Sequence, residues 1–561
     1  MRFAALVVGM LISAWQTPAF AQAPPEEAMP APIASPAAEP APMPAAPQVE
    51  RVPLSLSEAI TIGIESNTDV QIVRYDPPIA EFEHTAAWGA YDPTLYGDYS
   101  YQSSNLPVAS FFSPGGATTG LGQFIERKSS GDAGLRGLVP RLGWTYQVGY
   151  EGVSNQSNTI IQTLGTTYTS NLTASVTAPL LKGAWWGTAW TQVEVTGIQN
   201  ELAREQFRQQ LTDIVSGVEN GYWNLAATKQ NLEVTDKSLE TARALLTQTK
   251  AQYDVGVVSR VEVTEAEAGV ADREFKQITA ENLYRNAQDE LIDRVYGPKL
   301  TPTSRLEIAP TDRPESYVTF TLDPEASAQR AFARRPELSI ARQRVEQSEI
   351  QLKFAKNQRL PQVDLIGSYG THGLAGNDPG CPFGSSLPGG GCAVARTQPT
   401  AVGTDYSDTS DFYFDGNDNR VWVAGAALSI PLPNTSARAN VGKGELQLRK
   451  ARTGLRRVEQ DIVKDVRDAV RNLGSALQGV EAAERFVAAS NEQLRAERIR
   501  LEHGESTPFE VLQREEDLVQ AESQRIAALR VYHGSVTALD RAQGTLLEDR
   551  SIVLEDALTL R

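Results

Sequence analysis

Apolar residues recur along two long stretches of this chain in steps of three and four. Leu211, Val215, Val218, Tyr222 and Leu225 follow that rhythm, and Val480, Val487, Leu494 and Leu501 recur every seven residues. So narrow a seam, with Ala, Ser, Gln and charges elsewhere, predicts coiled-coil packing instead of a thick globular core. The stretches run from about Thr188 to Asp254 and from about Ala437 to His503. At about 1.5 Å per residue each makes a helix roughly 100 Å long. Both break at a glycine, in YDVGVVSRVEV around Gly256 and LEHGESTPFEV around Gly504, then resume a helical pattern over about 258–296 and 506–543. Glycine tolerates the positive φ that ends a helix, so each unit is predicted to be a helix hairpin. The 248-residue offset holds without a gap from about 218 to 292, pairing Val218 with Val466, Glu262 with Glu510, Tyr284 with Tyr532 and Leu291 with Leu539. The sequence is one module used twice.

Upstream of each long helix the period falls to two. Leu95, Gly97, Tyr99 and Tyr101 alternate with polar or small residues, as do Leu142, Trp144, Tyr146, Val148 and Tyr150, then Leu172, Ala174, Val176 and Ala178. A weaker candidate strand covers about 126–138, and the second half offers strands at 362–370 and 421–432. An apolar, aromatic-rich face opposite a small or polar one, over strands of this length, is the pattern of a transmembrane β-barrel. Helices precede and follow each block on one side, so each block holds an even number of strands: two in the second, two or four in the first. Four to six strands cannot close a barrel, and an open edge is forbidden in lipid, so several chains must share one. Shorter helices at 56–88 and 324–358 add to 258–296 and 506–543 to match the long helices, predicting end-to-end stacking alongside them.

The ends refine this picture. Residues 1–21 have the form of a secretory signal, with Arg2, an apolar run from Phe3 to Trp15 and a small-residue site at Ala19-Phe20-Ala21. An Ala/Pro tract over 22–53 is predicted to be an extended, largely disordered spacer. The first repeat then covers 54–297, a connection 298–323, the second repeat 324–545 and a tail 546–561. Beyond the signal no apolar run is long enough for a membrane-spanning helix. A net charge of −17 disfavours nucleic acid. Cys381 and Cys392, in a Gly/Pro-rich excursion, read as a disulfide in an exported protein, ahead of free thiols or a metal site.

The ordered set of export signal, two copies of helix–strands–helix–turn–helix, and Pro-Leu strand exits at Pro179-Leu180 and Pro431-Leu432 resembles the TolC-type outer-membrane efflux and secretion channels over roughly 54–545. The resemblance implies a mainly α fold with membrane β: a trimer sharing one transmembrane β-barrel in outer-membrane lipid, continued by a long periplasmic α-helical, coiled-coil barrel. It implies a passive exit duct without a cofactor, partnered by a periplasmic adaptor (membrane fusion protein) and an inner-membrane transporter, in a tripartite efflux pump or a type I secretion system. An elongated trimeric coiled-coil scaffold with a barrel anchor is the alternative. The resemblance also makes the turns the adaptor-contact tip, here Gly256, Val257, Val258, Ser259, Gly504, Glu505, Ser506 and Thr507. It puts a constriction at Glu510 and Gln513, only the first an acid as in the family, where threefold symmetry would raise the carboxyl pKa by mutual repulsion. The family's tip lock keeps its acid as Glu262 but finds Leu501 and Ser506 where its partners should stand. Arg260 could substitute by pairing with Glu505 or Glu510.

Catalytic chemistry has little support. His84, His372, His503 and His533 stand in neither metal nor triad spacing. The aspartates from Asp405 to Asp418 do not fit an EF-hand loop, so a solvated surface loop is the expectation.

Overall fold

The computed structural model describes residues 50–108, 122–157, 164, 166–297, 306–315, 317, 323–376, 405–413, 419–554 and 557. In chain order they form β1 (Glu50–Leu54), α1 (Leu56–Ser66), α2 (Thr68–Val73), α3 (Asp76–Trp88), β2 (Thr94–Val108), β3 (Gly122–Leu138), β4 (Thr145–Ser157) and β5 (Thr166–Pro179). Then come α4 (Thr188–Asp254), α5 (Arg260–Tyr296), β6 (Leu306–Pro310), α6 (Pro324–Arg334), α7 (Pro336–Gln358), β7 (Gln362–Gly376) and α8 (Tyr406–Thr409). The last elements are β8 (Arg420–Ser429), α9 (Thr435–Glu502), α10 (Pro508–Gln543) and α11 (Leu546–Asp549).

The pattern set the long helices closely: α4 has 67 residues and α9 has 68. The short helices are more broken than their periodicity suggests. The expected helix over 56–88 is three, because Asn67 turns its side chain onto the amides of Asp69 and Val70 and caps α2, and Pro77 and Pro78 have no amide to give the next break. The helix over 324–358 is two, divided at Arg335, whose extended backbone is what a following proline demands. Both sets still run alongside the long helices, the first beside α4 and the second beside α9. Asn67 Nδ2 donates to Arg294 O at the end of α5, so α2 and α5 meet end to end. Further along α4, His84 Nδ1 lies 3.2 Å from Thr196 Oγ1.

Six antiparallel strands make one sheet in the order β2-β3-β4-β5-β7-β8. The first block therefore contributes four strands and the second two. Register carries the alternation across the sheet. Tyr99, Gly131, Gly152, Ser170 and Gly373 lie in one transverse row, and Leu95, Leu135, Val148, Ala174 and Tyr369 in another on the same face. The opposite face is polar, with Asp98, Asp132, Glu151, Asn171 and His372 in a single row. Tyr96 lies across this face, close enough that a Cβ on Gly149 or Gly134 would come within 2.4 and 2.7 Å of its hydroxyl. Those glycines make room for the ring.

Two corrections concern the ends. Residues 50–53, assigned by composition to the spacer, pair in parallel with 306–309 as β1 and β6. The segment after 545, expected to be a tail, enters the core: Leu546, Leu547 and Ala557 are buried with Leu54, Ile308 and the Phe207–Ala226 stretch of α4. A second core joins α6 and α7 to α9 and α10 through Ala331, Leu338, Ile462, Val466, Leu529 and Leu539. Cys381 and Cys392 lie outside the described residues. Of the Asp-rich excursion, Asp405 caps α8 while Thr409 and Tyr413 turn onto Ser170 of the sheet. Among the described residues no cluster could hold a metal ion.

Candidate functional site: the hairpin tips and their supports

Each hairpin turns by the same backbone device. Gly256 (φ 81°) and Gly504 (φ 75°) adopt the left-handed conformation. The next residue's amide reaches back to close the helix, Val257 N to Gln252 O at 2.9 Å and Glu505 N to Arg500 O at 2.8 Å. Two residues later Ser259 and Thr507 begin α5 and α10 with reciprocal capping boxes, to Glu262 and Glu510. The Ser-x-x-Glu and Thr-x-x-Glu spacings were the sequence signal for this, and they give both acids a structural task that the constriction reading overlooked.

Around the second turn the polar groups converge further. Ser506 Oγ lies 2.5 Å from Glu497 Oε1 and 2.7 Å from Glu510 Oε2. A hydroxyl has one proton, so it donates to one carboxylate at a time. Arg500 Nη1, 3.5 Å from Glu497, offsets the crowded negative charge. Hydrogen bonds from Ser506 and from the Thr507 amide hold the Glu510 carboxyl below its usual pKa. Within one chain the shift thus runs opposite to the one expected from threefold repulsion. Gln513 stands one turn further on, exposed on the side of α10 away from buried Val511 and Leu512. Among the described residues Arg260 forms no ion pair with Glu505 or Glu510, so the substitute lock is not made within one chain. Exposed Tyr253, Val255 and Val257 on the first hairpin, with Ile499 and Phe509 on the second, make both tips apolar.

The hairpins are tied to each other between the fourth turn of α5 and the second turn of α10. Arg273 of α5, 5% exposed, donates to Ser238 Oγ of α4 at 3.1 Å, to Gly269 O at 3.1 Å and to Leu512 O of α10 at 3.0 Å. Beside it Lys276 pairs with Glu516 and, at 2.9 Å, with Asp272. This cross-tie holds the turn of α10 that carries Glu510 and Gln513 against the first hairpin. Sequence reasoning missed it, since nothing local distinguishes Arg273 from the other arginines of these helices.

A second buried tie lies at the mid-length core. Glu219 of α4, fully buried, accepts from Thr537 Oγ1 of α10 at 2.6 Å and from Arg550 Nε at 2.6 Å. Asp540 sits 3.8 Å from the same guanidinium. Burial pushes its carboxyl up to about 6 despite Arg550, with Asp549 and Glu219 adding repulsion.

The family model of the outer membrane efflux protein matches residues 130–293 and 328–545, more than half of the chain. The outer membrane protein TolC of Escherichia coli is 24% identical over 429 residues, spanning 75% of this chain and 78% of that one. The outer membrane efflux protein BepC of Brucella suis is 24% identical over 367 residues, spanning 62% and 66%. The crystal structure of the Campylobacter jejuni CmeC outer membrane channel superposes with a TM-score of 0.61 at 12% identity, covering 90% of this chain and 89% of that one. With its two helix hairpins and open sheet, the chain belongs to the outer membrane efflux protein family and is an outer-membrane efflux channel.

Proposed function

We propose that three copies of the chain form a passive exit duct, closing one β-barrel in the outer membrane above one helical barrel in the periplasm. The observation that carries this reading is the open edge of the sheet. Among the described residues, strands β2 and β8 each lack a neighbour on one side, an arrangement lipid does not permit. Three copies of six strands make eighteen, enough for an aqueous lumen. From Pro179 to Ser170, nine steps of about 3.4 Å, tilted as in barrels, give an apolar height of roughly 23 Å, close to the usual band of about 25 Å. The helices support the same head-to-tail joining. In the tip half α4 and α10 lie between α5 and α9, leaving the outer two with exposed seams: Val261, Phe275 and Ile278 on α5, Phe486 and Ile499 on α9. One copy's α5 fits the next copy's α9, a heterologous contact that closes into a ring.

The apolar tips suit the hairpin of a periplasmic adaptor, through which an inner-membrane transporter would deliver cargo. Glu510 and Gln513 of each copy face inward at the constriction, with Glu262 and Arg260 at the neighbouring tip. The test is reconstitution in a planar bilayer together with the native mass of the assembly. Three copies, discrete ion-conducting steps, and a cation preference reduced by Glu510→Ala are expected. A monomer retaining full sheet signal, or an assembly that inserts without conducting, refutes the duct.

A further inference from the structure

Where the sheet gives way to the helices, the chain forms a collar of three crossing segments, residues 180–187, 359–361 and 430–434. Asn357 fixes it, accepting from Gly183 N at 2.8 Å and donating to Leu181 O and Ala184 O, both at 3.0 Å. Asn434 donates to Arg359 O at 3.1 Å, and Lys182 N to Pro361 O at 3.3 Å. This rigid frame turns apolar side chains outward: Leu180, Leu181, Trp185, Leu360, Ile430 and Leu432, the last 87% exposed. Cations surround them. Arg141 lies over the Trp190 ring at 5.4 Å and Lys353 over Trp186 at 5.2 Å, with Lys182, Arg359 and Arg438 alongside. Among the described residues none of these five makes an ion pair.

An exposed leucine-rich patch in water is unfavourable, and cations are usually drawn to nearby carboxylates. Both features are accounted for if the collar sits at a membrane boundary, with leucines at acyl-chain depth, tryptophans at the interface and cations at the phosphates. We infer that this collar binds anionic phospholipid headgroups of the periplasmic leaflet in preference to zwitterionic ones. The assignment rests on the reading that the sheet crosses the outer membrane. It is argued from continuity of the collar with the apolar face of the sheet and from its unpaired positive charge.

The experiment uses the assembled full-length channel in nanodiscs of equal phosphatidylethanolamine and phosphatidylglycerol, with co-retained lipid counted by native mass spectrometry. The wild type is expected to retain phosphatidylglycerol selectively. Each lost cation should lower that selectivity about fivefold, so Lys182→Gln with Arg359→Gln lowers it about 25-fold. Lys229→Gln with Lys237→Gln, about 40 residues along α4 from the collar, should leave it unchanged. Equal retention of both lipids by the wild type overturns the inference, as does a collar variant that matches the wild type or a control pair that loses as much. Conductance of the same protein in a planar bilayer of that lipid mixture separates the two readings. A channel that conducts without lipid preference refutes only the collar site, whereas failure to insert refutes the barrel and the collar together.

Discussion

Replacing Arg273 by methionine should loosen the second hairpin without unfolding it. The guanidinium is almost wholly buried and makes two bonds to other helices, to Ser238 Oγ and Leu512 O, at 3.1 and 3.0 Å. Hydrogen bonds from a charged donor contribute about 1.5–3 kcal/mol each, and the cost of burying the charge offsets part of that. Methionine fills most of the volume, and of the groups Arg273 contacts only Ser238 Oγ loses its bond. Leu512 O keeps its partner within α10, and Glu516 keeps Lys276. The net loss to the cross-tie is about 2 kcal/mol, or about 30-fold in the balance between joined and separated hairpins. Spin labels at Val257 and Glu505, both exposed, report the tip separation by pulsed electron resonance. Arg273→Met should add a longer, broader distance population and raise single-channel conductance, with assembly and melting midpoint near wild type. Unchanged distances and conductance in an intact assembly would show that the cross-tie does not restrain the tip.

Three further outcomes follow from the core and the turns. Glu219→Ala removes the closest partner of Arg550, leaving Asp540 at 3.8 Å, and should destabilise the fold by about 1.5–3 kcal/mol in thermal unfolding, with Glu219→Gln milder because Thr537 keeps an acceptor. Asp540 holds its proton to about pH 6 when folded against an ordinary 3.8, so the folded state binds the extra proton between those values and loses stability as pH rises through them. Asp540→Asn should therefore stabilise the protein by on the order of 3 kcal/mol at pH 7.5, with little gain left near pH 4. An equal gain at both would refute the burial argument. Gly504→Ala meets no atom within 4 Å but must keep φ at 75°, so it should weaken the tip by about 1–2 kcal/mol, seen as faster amide exchange confined to the turn.

Local chemistry and period were enough for most of the elements. The steps of three and four defined α4 and α9 because coiled-coil seams repeat over many turns. Gly256 and Gly504 marked the turns because few other residues accept their φ. Alternation defined β2, β4 and β5, where tyrosines and leucines mark the apolar face. It was weak in β3, whose side of that face carries Ser129, Gly131 and Ala133. Those small residues lie beside tyrosines of the neighbouring strands, and a Cβ on Gly131 would meet the Tyr99 ring at 3.6 Å. A residue covered by its neighbours need not itself be apolar, so period alone does not reveal it.

Short-range pattern was enough for the long helices, their glycine turns, the alternating strands and the doubled order of these elements. Each depends on residues within a few positions of one another. Long-range packing was needed to bring Glu50–Leu54 beside Leu306–Pro310, to carry Leu546, Leu547 and Ala557 into the main core, and to set Glu219 against Arg550. It likewise lets Arg273 join the two hairpins. These partners lie from about 240 to more than 330 residues apart, and such contacts leave no period in the chain. Their energies come from burial and from pairing groups that burial would otherwise leave unsatisfied, and both exist only once the helices are side by side.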